Sequence, residues 1–191
     1  MNFSRQLDSI DCGPACIRMI AAYYGKKYSL NYLRNLSFLS SEGVSIAGIR
    51  DGLEAIGMTV NSFKLPLERL CEFKLPVILH WHQNHFVVLY KITKNKYYWI
   101  ADPAYSKYKL SEEEFCKEWS HGGQGVILIP TPTDLFYQMI PPPENDSIKK
   151  FLLKYLLPFK NEMFQLSLGL LAGVIVSLIM PFLTQAMVDK G

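Results

Sequence analysis

The sequence predicts an α+β domain of about 130 residues, followed by a helix long and apolar enough to cross a membrane. Three observations predict it. Residues 12–57 hold apolar side chains at helical spacing, punctuated by serines and glycines. From Pro76 onward the chain changes to short runs rich in β-branched and aromatic residues. Residues 163–188 contain no Asp, Glu, Lys, Arg or His.

The first helix is CGPACIRMIAAYYG, with Cys16, Ile17, Ile20, Ala21 and Tyr24 on its apolar side. Pro14 suits the first turn, where a missing N–H costs nothing, and Gly25 is placed to stop the helix. SLNYLRNL follows with Ser29 as cap. SIAGIRDGLEAIG follows with Ser45 as cap and Gly57 as terminator. LPLERLCEF reads as a further short helix. PVILHW, HFVVLYKI and KYYWIAD then read as consecutive antiparallel strands divided by polar breaks. LSEEEFCKEW is a short acidic helix and GVILIP a last strand. The proline-rich residues 131–147, with the run Pro141-Pro142-Pro143, read as a stiff, extended linker. Residues 148–191 read as an interfacial segment and a membrane helix over about 163–188. FLLKYLLPFK reads either as a segment lying along the membrane surface or as the first turns of that helix.

Composition narrows the function classes. An apolar share of 49% excludes a mostly disordered chain. A net charge of +3 gives no electrostatic reason to expect nucleic acid as a partner. Four cysteines in 191 residues are too few for a small disulfide scaffold. The first ten residues lack the apolar core of a secretory signal, so the domain reads as cytosolic with reduced thiols. Lys149, Lys150, Lys154 and Lys160 before the apolar run, against Lys190 after it, place its N-terminal flank in the cytoplasm.

Cys12 is the candidate nucleophile. It begins the first helix, whose unsatisfied N–H groups and positive dipole end favour a negatively charged sulfur. A thiolate needs a base and a group that orients the base. His85 opens a strand and Asp102 ends the next one, so antiparallel pairing brings them together. Gln6, in the extended lead-in to Cys12, could offer its side-chain amide to an oxyanion together with the Cys12 N–H. Cys16, one turn after Cys12, reads as a packing residue, and Cys71 and Cys116 as core residues of short helices. The rival reading joins His80, His82 and His85 with a cysteine as a zinc site, at an irregular spacing that straddles a turn.

The string RQLDSIDCGPACIRMIAAYYG, with HFVVLY and IADP further on, resembles the N-terminal peptidase domain of peptidase-containing ABC transporters, the bacteriocin-processing, papain-like cysteine peptidases. The resemblance covers residues 1–129, and LIMPFLTQAMVDKG is similar to the end of the first membrane helix of such exporters. It implies a papain-like fold with N-terminal helices packed on an antiparallel sheet. Cys12 is then the nucleophile, His85 the base and later the acid, Asp102 the group that orients the imidazole, and Gln6 the oxyanion support. The implied substrate is a secreted peptide precursor whose leader ends in a double glycine, cut on the cytosolic face of the cell membrane. The implied partners are that precursor, the membrane and the remaining transporter domains, as a homodimer in full-length form. The peptidase is expected to need no metal or cofactor. ATP and Mg belong to a nucleotide-binding domain, and no Walker motif is present in these 191 residues. Some relatives of this kind only bind leaders, which leaves a non-cleaving binding module as the alternative.

Overall fold

A computed structural model describes residues 1–37, 43–82, 84–143 and 156–190; at 182–183 and 186–190 only the backbone is described. It divides into two units, Met1–Glu144 and Asn145–Gly191. Helices α1 (Cys12–Tyr23), α2 (Leu30–Leu36) and α3 (Ile46–Ala55) come first. The serine caps hold: the Tyr32 N–H donates to Ser29 Oγ at 3.2 Å and the Gly48 N–H to Ser45 Oγ at 3.0 Å. Gly25 and Gly57 end their helices at φ +90° and +85°, where a side chain is disfavoured.

Six strands follow: β1 (Met58–Leu65), β2 (Val77–Trp81), β3 (His85–Ile92), β4 (Tyr98–Ala101), β5 (Lys107–Leu110) and β6 (Gly125–Pro132). Helix α4 (Leu67–Leu70) precedes β2, α5 (Glu112–Trp119) precedes β6, and α6 (Asp134–Gln138) follows it. All pairings are antiparallel, in the order β1-β6-β2-β3-β4-β5. The sheet is the expected meander extended at both edges.

Side chains alternate across the sheet, so its two faces build two cores. Ile78, Phe86, Val88 and Leu128 pack under α1, α3 and α6. Leu79, Val87, Leu89 and Ile127 pack against Phe115 and Trp119 of α5. Burial on both faces is why VILHW and HFVVLY read as unbroken apolar runs. The inter-helix packing depends on small residues. A Cβ on Gly13 would lie 2.0 Å from Val44 Cγ1, so Val44 seats directly on the start of α1.

Two expectations change, two strands appear that the sequence reading did not name, and one expectation is not tested. β1 and β5 carry no clear strand pattern because they are edge strands with mostly exposed or half-exposed side chains. The helix expected over LPLERLCEF shrinks to the four residues of α4, which leaves Cys71 exposed instead of in the core. Residues 131–138 are not extended linker: β6 runs on to Pro132, and α6 buries Phe136 beside Tyr24. The interfacial segment expected near residues 148–160 lies largely outside the described residues.

In the second unit a 3₁₀ turn, Leu157–Phe159, leads into α7 (Lys160–Lys190), which runs through Pro181. Within Leu157–Pro181 an 18-residue window reaches a mean hydropathy of 2.2, and by length and composition the helix can cross a membrane.

Gly57 tests the docking of α6. A Cβ there would sit 2.6 Å from the Phe136 backbone nitrogen, at a φ hostile to L side chains. Gly57→Ala should cost about 2–3 kcal/mol in urea unfolding of the first unit. An unchanged midpoint would show that this contact is not tight.

Candidate active site

The site is made where one helix begins and one strand begins. α1 lies across β3, and the buried Cys16 thiol donates to the Phe86 carbonyl at 3.3 Å. Burial pushes the Cys16 thiol well up, and negative charge at Cys12 and Asp102 adds to this, so Cys16 stays a protonated donor. The bond fixes the helix turn carrying Cys12 against the residue after His85. Cys16 therefore packs as expected.

Cys12 is 5% exposed at the first position of α1. The His85 ring lies close enough to feel the Cys12 sulfur, which raises the ring's pKa. The other side of the imidazole reaches Asp102, with Nε2 to Oδ1 at 2.7 Å. Since Nε2 serves the carboxylate, Nδ1 is the nitrogen left for the sulfur. The pairing of β3 with β4, with Val88 opposite Ala101, is what brings Asp102 back to His85.

Asp102 is buried and fully engaged. Its Oδ1 also accepts the Ala104 N–H at 2.9 Å, an Asx turn that fixes the carboxylate plane. Oδ2 accepts the Tyr108 hydroxyl at 3.4 Å. Burial, then the charge of Asp102, pushes the Tyr108 hydroxyl up, which keeps it a donor. Tyr108 escaped the sequence reading because it lies on β5, whose pattern is weak. The signal available was its position six residues past Asp102 in a strand that returns beside it.

Burial by itself pushes the His85 ring down. The hydrogen bonds to Asp102 and Cys12, with the negative charge of both, outweigh it and lift the ring to about 9. The imidazolium is therefore favoured at neutral pH, between a carboxylate and a sulfur.

Gln6 approaches from the lead-in. Its backbone N–H donates to the Pro103 carbonyl at 3.0 Å, which ties it to the residue after Asp102. Gln6, His85 and Asp102 line one cleft of about 540 Å³, together with Trp81, Tyr105 and Glu118. Thus His85 is hydrogen-bonded to Asp102 and interacts electrostatically with Cys12, and Gln6 borders the same cleft.

The zinc alternative fails on geometry. His85 is committed to Asp102, His82 pairs with Glu118 at 2.6 Å, and the His80 ring packs on Phe86 at 4.9 Å. Among the described residues no group of three His, Cys, Asp or Glu side chains could hold a metal ion.

A thiol, an imidazole and a carboxylate in one line suit nucleophilic acyl transfer. Comparison with known proteins agrees: the Peptidase C39 family model matches residues 1–134. The chain belongs to the peptidase C39 family. It is 39% identical over 112 residues, 59% of its length, to the colicin V secretion/processing ATP-binding protein CvaB of Escherichia coli. It is 39% identical over 133 residues, 66% of its length, to the lactococcin-G-processing and transport ATP-binding protein LagD of Lactococcus lactis. The chain spans 16% and 18% of the lengths of these two relatives. Its C39 domain also matches a crystal structure of a double-glycine-motif protease from an AMS/PCAT transporter in complex with the leader peptide. That match has a TM-score of 0.64 at 32% identity, over 69% of this chain and 91% of the other. The C39 fold is thus the papain-like arrangement expected, with helices on an antiparallel sheet.

The ring of His85 should titrate by NMR with a midpoint near 9 instead of 6.5. Because its folded value is raised, the stability it contributes is full below 6.5 and is lost as pH rises through about 9. Asp102→Asn should move the midpoint down. A parent midpoint at or below 6.5 would show that the ring is not held between two anions.

Proposed function

We propose that this chain cleaves a secreted peptide precursor after a double-glycine leader, as the peptidase part of an exporter. The observation that carries this reading is the His85 ring placed between the Asp102 carboxylate and Cys12.

In the proposed reaction the Cys12 sulfur attacks the carbonyl carbon of the second glycine. The carbonyl oxygen, now negative, is met by the Cys12 N–H, which has no partner within α1, and by the Gln6 side-chain amide. The C–N bond breaks and the His85 imidazolium protonates the leaving amine, which frees the mature peptide. The leader remains as a thioester on Cys12. Water then attacks the thioester while His85 takes its proton, and the leader leaves as an acid with the thiol restored. Asp102 keeps one ring nitrogen committed and stabilises the cation throughout. Two glycines suit such a site because a backbone without Cβ approaches a buried sulfur most closely.

The proposed organisation keeps the peptidase first but extends it from residue 130 through α6, leaves a shorter connection up to residue 147, and assigns 148–191 to the start of a transmembrane domain. α7 supports this. From Met163 on, its described side chains carry no charge, and apolar ones such as Leu166, Leu170, Ile175 and Ile179 are exposed, which suits lipid better than water. The lysines before the span favour a cytosolic peptidase. The processing and transport names of the relatives support a place beside ATP-driven export domains, which would hold the ATP and Mg. The homodimer remains part of the proposal for the whole exporter.

Cys12→Ala should lower cleavage of a double-glycine precursor by at least about 10³-fold while leader affinity stays within a few-fold, read by mass spectrometry and titration. Cleavage at the parental rate would remove Cys12 from the reaction. The intact chain should stay with membranes through a carbonate wash, and recovery in the soluble fraction would contradict the membrane assignment of α7.

A further inference from the structure

The residue before the nucleophile has no part in the mechanism above, yet it is among the most constrained in the chain. Asp11 is a carboxylate at 0% exposure. An aspartate before a helix ordinarily caps it, but the Asp11 side chain makes no cap bond to α1. Its oxygens are spent elsewhere. Oδ1 accepts Arg34 Nε at 2.6 Å, and Oδ2 accepts the Asp8 N–H at 2.9 Å and the Leu7 N–H at 3.2 Å. Arg34 Nη2 also reaches Oδ2, which makes the pair bidentate. Arg34 Nη1 donates to Asn31 Oδ1 at 2.9 Å, a further contact on the guanidinium.

The two backbone donors, Leu7 and Asp8, directly follow Gln6. The lead-in is therefore pinned at both ends: Gln6 N–H to the Pro103 carbonyl, and Leu7 and Asp8 to a carboxylate anchored on α2. Among the described residues the Gln6 side-chain oxygen is buried without a hydrogen-bond partner. Backbone placement, more than side-chain bonding, therefore fixes where its amide points. Burial alone would raise the Asp11 carboxyl. The Arg34 hydrogen bond, the Asp8 N–H and the Arg34 charge overcome it and hold the carboxyl below 3.8, so the pair is ionised at neutral pH. Arg34 also offsets a negative charge one residue from the reacting sulfur.

We infer that the Asp11–Arg34 pair is a positioning device that acts through Gln6: it aims the oxyanion donor and leaves Cys12, His85 and Asp102 in place. The inference rests on the peptidase reading for its kinetic consequence, while its structural consequence is read separately.

The experiment uses the full chain, with Gln6→Ala, Arg34→Gln, Arg34→Lys, Asp11→Asn and the double variant of Gln6→Ala with Arg34→Gln. Hydrogen exchange comes first. In Arg34→Gln the Leu7 and Asp8 amides should exchange at least about 10-fold faster, while the amides of Ile17–Ala21 in α1 keep their protection. In cleavage assays Arg34→Gln should lower kcat about 10- to 100-fold with KM within about two-fold. Arg34→Lys should recover part of it, since an ammonium gives charge without the fork. Asp11→Asn, which keeps an oxygen for the two amides, should fall between the parent and Arg34→Gln. In the Gln6→Ala background the Arg34→Gln loss should shrink to about two-fold or less. Alkylation of Cys12 by iodoacetamide should proceed at the parental rate in all five.

Unchanged Leu7 and Asp8 exchange would overturn the inference. So would losses that multiply in the double variant, or α1 protection that collapses with Arg34→Gln and Asp11→Asn alike, which would make the pair a mere stabiliser. A parent chain that cuts no double-glycine peptide while those amides respond as expected would overturn the peptidase reading alone.

Discussion

The site depends on one imidazole held between a carboxylate and a sulfur. His85 can meet both because β3 begins where α1 begins, at the same end of the packed helix–strand pair. The Cys16 thiol on the Phe86 carbonyl locks that register, one turn along the helix and one residue along the strand from the reacting groups. On the far side, the β3–β4 pairing and the Asx turn at Ala104 bring Asp102 up to Nε2. Few of these contacts are strong alone. Together they put three titratable groups in a mostly buried line where charge interactions are weakly screened, and the ring becomes a cation at neutral pH.

The same logic shows what the sequence made legible. Cys12, His85 and Asp102 were readable because each sits at the boundary of an element, and boundaries are marked by local chemistry: Gly-Pro after Cys12, a polar break before His85, Pro103 after Asp102. Ser29 and Ser45 were readable as caps for the same reason. Features set by tertiary context were not. β1 keeps only Met58 and Leu65 fully buried, so it shows no two-residue period to detect. The prolines of residues 131–147 argued for an extended linker, but the buried Phe136 ring pays for a short helix there. Cys71 looked apolar by its neighbours and is exposed because α4 ends at Leu70. Arg34 meets Asp11 across 23 residues of chain, and only the packing of α1 with α2 reveals it.

The two units obey different rules. In the first, every central strand of the sheet is covered on both faces, and polar residues sit at edges, turns and the cleft. In the second, α7 carries apolar side chains on all sides with no internal face to bury. These two patterns accord with the proposed assignment of the first unit to a peptidase and of α7 to a membrane span. The dominant requirement on the peptidase is a rigid cleft, which the packed sheet supplies.

The central claim is covalent: the leader passes through a thioester on Cys12. Hydroxylamine added during cleavage of a double-glycine precursor tests it directly, because it competes with water for an acyl-enzyme. The account expects leader hydroxamate to appear beside leader acid, rising with hydroxylamine while release of mature peptide is not slowed, and neither leader product to form with Cys12→Ala. Leader acid alone at every hydroxylamine concentration, from a chain that cleaves normally, would contradict it.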